Sequence, residues 1–265
     1  MTETLSDDFV RDAFHAAGEK RYALARLAYP YLLGSDWRWA VIGWAYIKCL
    51  DDRVDENETT QSAIDTLKDQ MQLLEHAYAG NSPDAGLGKL ESYGQRFCAW
   101  DRDCGAPLRY PLEAVLETME FDLRRRGSVL PREEIDAYLI KMGGALIDFL
   151  AHFAMPGRKL SAALKNAGSR AYLWADTLMD LAHDIEFGLI NIPAEDLESE
   201  KIDLARGFEA CKEWVASSVP KVEAHFDESI SLMRELPLLT GFWCRSLLQR
   251  KRKALHRFLD EALSH

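Results

Sequence analysis

Apolar residues recur at three- and four-residue spacing along most of the chain, the period of an α-helix with one buried face. This pattern predicts a first helix from Phe9 to Tyr29 and a second from Trp37 to about Val54. Further helical stretches are Ser62–Tyr78, Leu87–Trp100, Leu112–Arg125, Arg132–Phe153, Ser161–Phe187, Lys201–Met233 and Gly241–Leu263. The breaks carry turn chemistry: "AGNSPDAGLG" at 79–88, "DRDCGAPLRYP" at 101–111, "RGSVLPREE" at 126–134 and "MPGRK" at 155–159. No run of alternating β-branched residues demands a sheet. No Gly/Ser- or Pro-rich linker divides the chain, and no internal repeat is visible. The expected architecture is all-α, one domain over residues 1–265, a single large helical bundle of about eight to ten helices with a central cavity.

Composition narrows the class. Hydrophobic residues make up 48% of the 265, enough for a sizeable core. The formal net charge of −11 argues against non-specific nucleic-acid binding, which needs a basic surface. The longest apolar runs fall short of the ~18–20 residues of a membrane span. "MTETLSDDFVRD" is acidic and polar, unlike a signal peptide. The five cysteines are scattered and form no CxxC pair, as expected of reduced thiols in a cytoplasmic protein.

Two acidic motifs interrupt the apolar pattern. In "YIKCLDDRVDEN", Asp51 and Asp55 are four apart and share a helical face, each step of four rising ~6 Å. This pair follows the apolar "WAVIGWAYI" and ends that helix; taken alone it also fits a solvated acidic helix end. In "LMDLAHDIEFGLINIP", Asp180 and Asp184 repeat the spacing, and Asp176 extends it to a stripe of three. The residues between are mostly apolar, so repulsion among the carboxylates calls for cations or other partners. Carboxylate oxygens suit Mg²⁺, with Mn²⁺ as a substitute; no Cys/His cluster suggests zinc, and no GxxxxGK[ST] or GxGxxG loop suggests a nucleotide. Asp51, Asp55, Asp176, Asp180 and Asp184 are therefore the candidate metal ligands. Two such motifs facing each other across a helical cavity would suit a diphosphate held through Mg²⁺.

These residues resemble the squalene/phytoene synthase family, whose members carry an early DxxxD and a later D-x-x-x-D-x-x-x-G-x-x-x-x-P. Here the motifs read Asp51–Asp55 and Asp180–Asp184–Gly188–Pro193. The family's Met-Glu-x-Asp element is similar to Met119, Glu120, Phe121, Asp122, and its later Tyr before small residues to Tyr138 and Gly143–Gly144. The resemblance covers roughly residues 15 to 260 and implies a class I terpenoid synthase fold.

Several positions depart from the family pattern. Its Ser-x-Ser-Phe is replaced by "EKRYALARLAYP", which makes Lys20 and Arg21 candidate phosphate contacts. Lys48 stands for an Arg, Asp176 for an Asn, Leu189 for the Arg of a Gly-Arg pair, Asn191 for a Tyr and Ile147 for a Gly; Asp148 adds a carboxylate.

The resemblance implies Mg²⁺-dependent ionisation of an allylic isoprenyl diphosphate, with Asp51, Asp55, Asp180 and Asp184 catalytic. Lys20, Arg21, Tyr22, Trp44, Lys48, Asp122, Tyr138 and Phe149 are the candidate substrate-binding residues. The aromatic side chains among them also fit ordinary core. Head-to-head coupling of two prenyl chains is the leading expectation. A single-substrate terpene cyclase, a hydrolase or a prenyltransferase to another acceptor is the alternative, favoured by the departures. A non-catalytic helical binding protein is the third. Glu117, Asp122 and Arg125 are candidates for a polar network, and His183 for a proton acceptor or a surface histidine. The basic run "CRSLLQRKRKALHR", Cys244 to Arg257, fits a lid over diphosphate, a peripheral contact with an anionic membrane, or a solvated helix face.

Overall fold

The computed structural model describes residues 5–57, 59–81, 86–105 and 107–262. Among these residues the regular structure is eleven α-helices and two 3₁₀ segments, with no strand and one isolated parallel bridge from Val129 to Ile190. The helices are α1 Asp7–Ala16, α2 Tyr22–Leu33, α3 Trp37–Asp55, α4 Thr60–Tyr78, α5 Lys89–Cys104, α6 Arg109–Arg124, α7 Arg132–Ala154, α8 Ala162–Glu186, α9 Ala194–Glu200, α10 Lys212–Leu232 and α11 Leu238–Ala262.

Two expected helices are each divided. The stretch Phe9–Tyr29 breaks between α1 and α2, where Gly18 adopts φ +80, a conformation that ends a helix and suits a residue without Cβ. The stretch Lys201–Met233 begins with non-helical backbone at Lys201, passes through a 3₁₀ segment at Leu204–Cys211 that Gly207 interrupts, and becomes α-helical only at Lys212. Apolar periodicity continues across both breaks, so spacing alone does not reveal them. Other starts follow capping chemistry. Thr59 accepts from the Ser62 amide to start α4, and Ser161 from the Leu164 amide to start α8.

The chain divides into two compact units, Met1–Leu123 with Asp148–Arg158, and Arg124–Ile147 with Lys159–His265. In the first, α3 packs on α5, and small residues let rings approach the backbone. A Cβ added at Gly43 would lie 2.6 Å from the Phe97 ring and 2.7 Å from the Phe149 ring. Trp39 stacks on Trp100 at 5.3 Å, and Trp100 on Phe153 at 5.7 Å. Asp101 is fully buried here, accepting from the Tyr78 hydroxyl at 2.7 Å and the Leu108 amide at 3.4 Å.

In the second unit α8 packs on α10 and α11 around Trp174, Leu178, Leu181, Trp214 and Phe226. Both tryptophans find acceptors: Trp174 Nε1 donates to Asp136 at 3.0 Å and Trp214 Nε1 to Asp196 at 2.7 Å. The segment after α6 runs beside the segment after α8, tied by the Gly127 amide to the Gly188 carbonyl (2.7 Å) and the Ala194 amide to the Leu130 carbonyl (2.9 Å). Among the described residues α7 has the length and apolar composition of a membrane span, although no single apolar run in the sequence is that long. Lys141 and Asp148 interrupt it, and Ile135, Leu139, Phe149 and Phe153 are buried within the two units.

Candidate functional site

Both acidic motifs lie in the last turns of their helices, α3 ending at Asp55 and α8 at Glu186. A helix C-terminus carries partial negative charge, so carboxylates there gain nothing from the backbone and need positive or donor partners. The two motifs find them differently.

On α8, Leu178 and Leu181 are fully buried while Asp180, Ala182, His183 and Glu186 face solvent. The stretch is thus half-buried, not enclosed as its apolar character suggests. Asp176 and Asp184 are intermediate. The surrounding protein mass raises the Asp180 carboxyl above its ordinary range, and His183 opposes this weakly.

Asp184 is wrapped by the turn that follows it. Its carbonyl accepts from the Leu189 amide at 2.7 Å, a closure that Gly188 permits with φ +74. Its Oδ2 accepts from Asn191 Nδ2 at 2.8 Å. Asn191 Oδ1 in turn accepts from Arg125 at 2.6 Å, and the same guanidinium reaches the Ile190 carbonyl at 3.4 Å. Arg125 is 5% exposed and Asn191 7%. The Tyr138 ring lies 5.2 Å from the guanidinium, within cation–π range, and the Tyr138 hydroxyl meets Met142 Sδ at 3.4 Å.

Asp176 forms an ion pair with Lys251 of α11. Lys251 also stands 4.7 Å from the Tyr172 ring, and burial pulls its ammonium down to about 8. Where the resemblance leads to a neutral Asn, this chain has an acid balanced by a base. Much of the basic run on α11 is engaged in this way: Arg252 pairs with Glu223 and with Asp227 at 2.9 Å, and His256 lies 3.0 Å from Glu223.

On α3, Lys48 reaches Asp51 at 2.6 Å and Asp52 at 3.9 Å, one turn away on the same helix. Burial works to lower the Lys48 ammonium, but the hydrogen bond and charge of Asp51, with Asp52 and Asp55, carry it above the ordinary lysine value. Asp55 is exposed, and neighbouring Arg53 turns to Glu91 at 2.7 Å.

The remaining sequence-predicted residues fall in several settings. Lys20 and Arg21 are exposed between α1 and α2. The Tyr22 hydroxyl donates to Asp7 Oδ1 at 3.0 Å, and its ring sits among Phe14 and Trp37. Trp44 on α3 and Asp122 near the end of α6 are partly buried. Phe149 is buried against Phe97.

Residue spacing does not reveal the Arg125–Asn191 link or Lys251 as the partner of Asp176. The available signals were the Arg124–Arg126 run closing α6 and Asn191 standing where a Tyr was expected. Among the described residues no three Asp, Glu, His or Cys side chains gather into a group that could hold a metal ion. The donor chemistry nevertheless fits Mg²⁺, which takes one or two carboxylates and completes its shell with water and phosphate oxygens.

No protein-family model matches the sequence, and no curated protein does. Among solved structures, squalene synthase HpnC from Alicyclobacillus acidocaldarius is similar with a TM-score of 0.64, covering 94% of this chain and 95% of that one at 18% identity. The protein has the all-α fold of the squalene/phytoene synthases.

Proposed function

We propose that the protein ionises an allylic isoprenyl diphosphate in a Mg²⁺-dependent reaction and couples two prenyl chains head to head, releasing diphosphate. The observation that carries this reading is the pair of four-spaced aspartate motifs, each in the last two turns of a helix, on a squalene-synthase-like fold. Asp51 and Asp55, and Asp180 and Asp184, would be the ligand pairs. Asp176, balanced by Lys251, is the weakest of the five candidates. When bound, Mg²⁺ supplies the Lewis-acid pull on the leaving diphosphate.

Lys20, Arg21 and Lys48 would assist by holding diphosphate oxygens. Tyr22, Trp44 and Phe149 would supply apolar and aromatic surface that shields the allylic cation from water, with Asp122 and Tyr138 contacting the substrate. In the coupling step the double bond of a second prenyl diphosphate attacks the cation and closes a cyclopropane, with loss of a proton. A cytoplasmic enzyme touching a membrane surface through the exposed basic residues of α11 fits this reading.

A second reading keeps the ionisation and changes the acceptor, as in a terpene cyclase, hydrolase or other prenyltransferase. It is favoured by Leu189 and Asn191, which stand where the resemblance expects an Arg and a Tyr. The test is to incubate the protein with Mg²⁺ and geranyl, farnesyl or geranylgeranyl diphosphate and to analyse diphosphate and hydrocarbon products. A product of doubled carbon count supports coupling. A monomeric alcohol or cyclic product supports the second reading. No diphosphate release at any chain length sinks both.

A further inference from the structure

We propose that the outward face of α11 docks on an anionic lipid bilayer, with Leu238, Leu239 and Phe242 entering the membrane interface and Arg250, Lys253 and Arg257 on the headgroup phosphates. The inference deepens the membrane contact of the proposed function and rests on that reading only for the class of surface, not for the reaction.

The two faces of α11 differ in character. Gly241, Leu248 and Leu255 recur at seven-residue spacing and are buried. Leu238, Leu239 and Phe242 lie on the other face and are 88%, 72% and 70% exposed. Side chains so exposed contribute nothing to the core, and three together form a patch of the kind that marks an interaction surface. Arg250, Lys253 and Arg257 continue the same face at helical spacing and are also exposed.

The start of this helix is held in place. The Gly241 amide donates to the Pro237 carbonyl at 2.7 Å, and a Cβ at Gly241 would lie 3.1 Å from the Met233 carbonyl. Glycine thus lets the first turn close on the preceding segment, whose Met233 is buried in the core of the second unit. The three apolar side chains are presented on a packed turn.

Charge selects the occupant. No acid stands between Glu235 and Asp260, whereas the chain as a whole carries −11. The inward cations Lys251 and Arg252 are matched by Asp176, Glu223 and Asp227. The outward ones stand in solvent on the face that begins with the apolar turn. An anionic bilayer meets both features: its acyl region takes leucine and phenylalanine, and its phosphates take arginine and lysine. A second copy packed face to face would instead bring two rows of cations together. An acidic protein is repelled by an anionic surface except through such a patch, so docking also fixes its orientation.

Co-sedimentation of the intact protein with vesicles tests this, using phosphatidylcholine alone and phosphatidylcholine mixed with phosphatidylglycerol. Wild type is expected to bind the mixed vesicles and to be released by salt. Leu238→Ser/Leu239→Ser/Phe242→Ser and Arg250→Gln/Lys253→Gln/Arg257→Gln are each expected to bind about 10- to 100-fold more weakly, while melting within about 2 °C of wild type because the altered side chains are exposed. Undiminished binding by the serine variant overturns the apolar insertion and leaves a purely electrostatic contact. Undiminished binding by the glutamine variant, or equal binding to both kinds of vesicle, overturns selection by charge. Dimerisation of wild type that the serine variant abolishes gives the face to a second copy instead. Protein that binds neither kind of vesicle overturns the docking face and the membrane contact together, while diphosphate release in solution tests the reaction separately.

Discussion

The two acidic motifs share a spacing and a place at the end of a helix, yet they are supported in opposite ways. The α3 pair leans on Lys48, one turn away on the same helix, with both partners more than a third exposed. On α8, Asp184 accepts from Asn191, whose amide oxygen accepts from the buried Arg125, with the whole of α7 and most of α8 between that arginine and the acid in sequence. A local, hydrated pair is easily made and easily remade. A buried relay needs the surrounding fold and holds one geometry. The rigid element therefore lies at Asp184, and the adaptable one at Asp51.

Removing the supporting cation from each motif is the most direct way to break this comparison. Arg125→Met strips the buried amide of its partner and is expected to cost about 3 kcal/mol in denaturant unfolding. If it costs no more than a surface substitution, the contrast with α3 collapses. A buried acid of the first unit sharpens the contrast. Burial lifts the Asp101 carboxyl from 3.8 to about 6, outweighing the opposing hydrogen bonds from Tyr78 and the Leu108 and Arg109 amides. Because the folded value lies above the unfolded one, its stabilisation is complete below the unfolded value and is lost as pH rises through about 6. The swing is up to about 3 kcal/mol, and Asp101→Asn is expected to flatten that part of the stability–pH curve.

Asp184→Ala is expected to lower diphosphate release on the order of a hundredfold, with Asp51→Ala losing less if Lys48 and Asp55 compensate. Equal losses would mean that the difference in support has no catalytic counterpart. Gly43→Ala, which drives a methyl group into Phe97 and Phe149, is expected to cost about 1–3 kcal/mol by overpacking. Lys48→Met closes the series. With its ion pair half-exposed it should change stability by less than about 1 kcal/mol.

Much of the helical layout was legible because helices of this kind carry one apolar face and explicit stop signals. Ser161 and Gly188 bracket α8 where capping rules put them. The breaks at Gly18 and Gly207 were not legible, because the apolar period runs through them and only the backbone angles differ. The aspartate pairs were visible as spacing. Their supports were not, because Arg125 and Asn191 are 66 positions apart and Asp176 and Lys251 are brought together only by packing of α8 on α11. Asn191 stands where the resemblance leads to a Tyr, yet nothing local in the sequence indicates that its amide links an arginine to an acid.

The stack of Trp39 on Trp100, with ring planes nearly parallel at 11°, has an optical consequence. Two indoles this close couple their electronic transitions, so the first unit should contribute an exciton couplet to the circular dichroism. Trp174 and Trp214 in the second unit are instead each hydrogen-bonded to a carboxylate. Loss of that couplet would then follow unfolding of the first unit without a label.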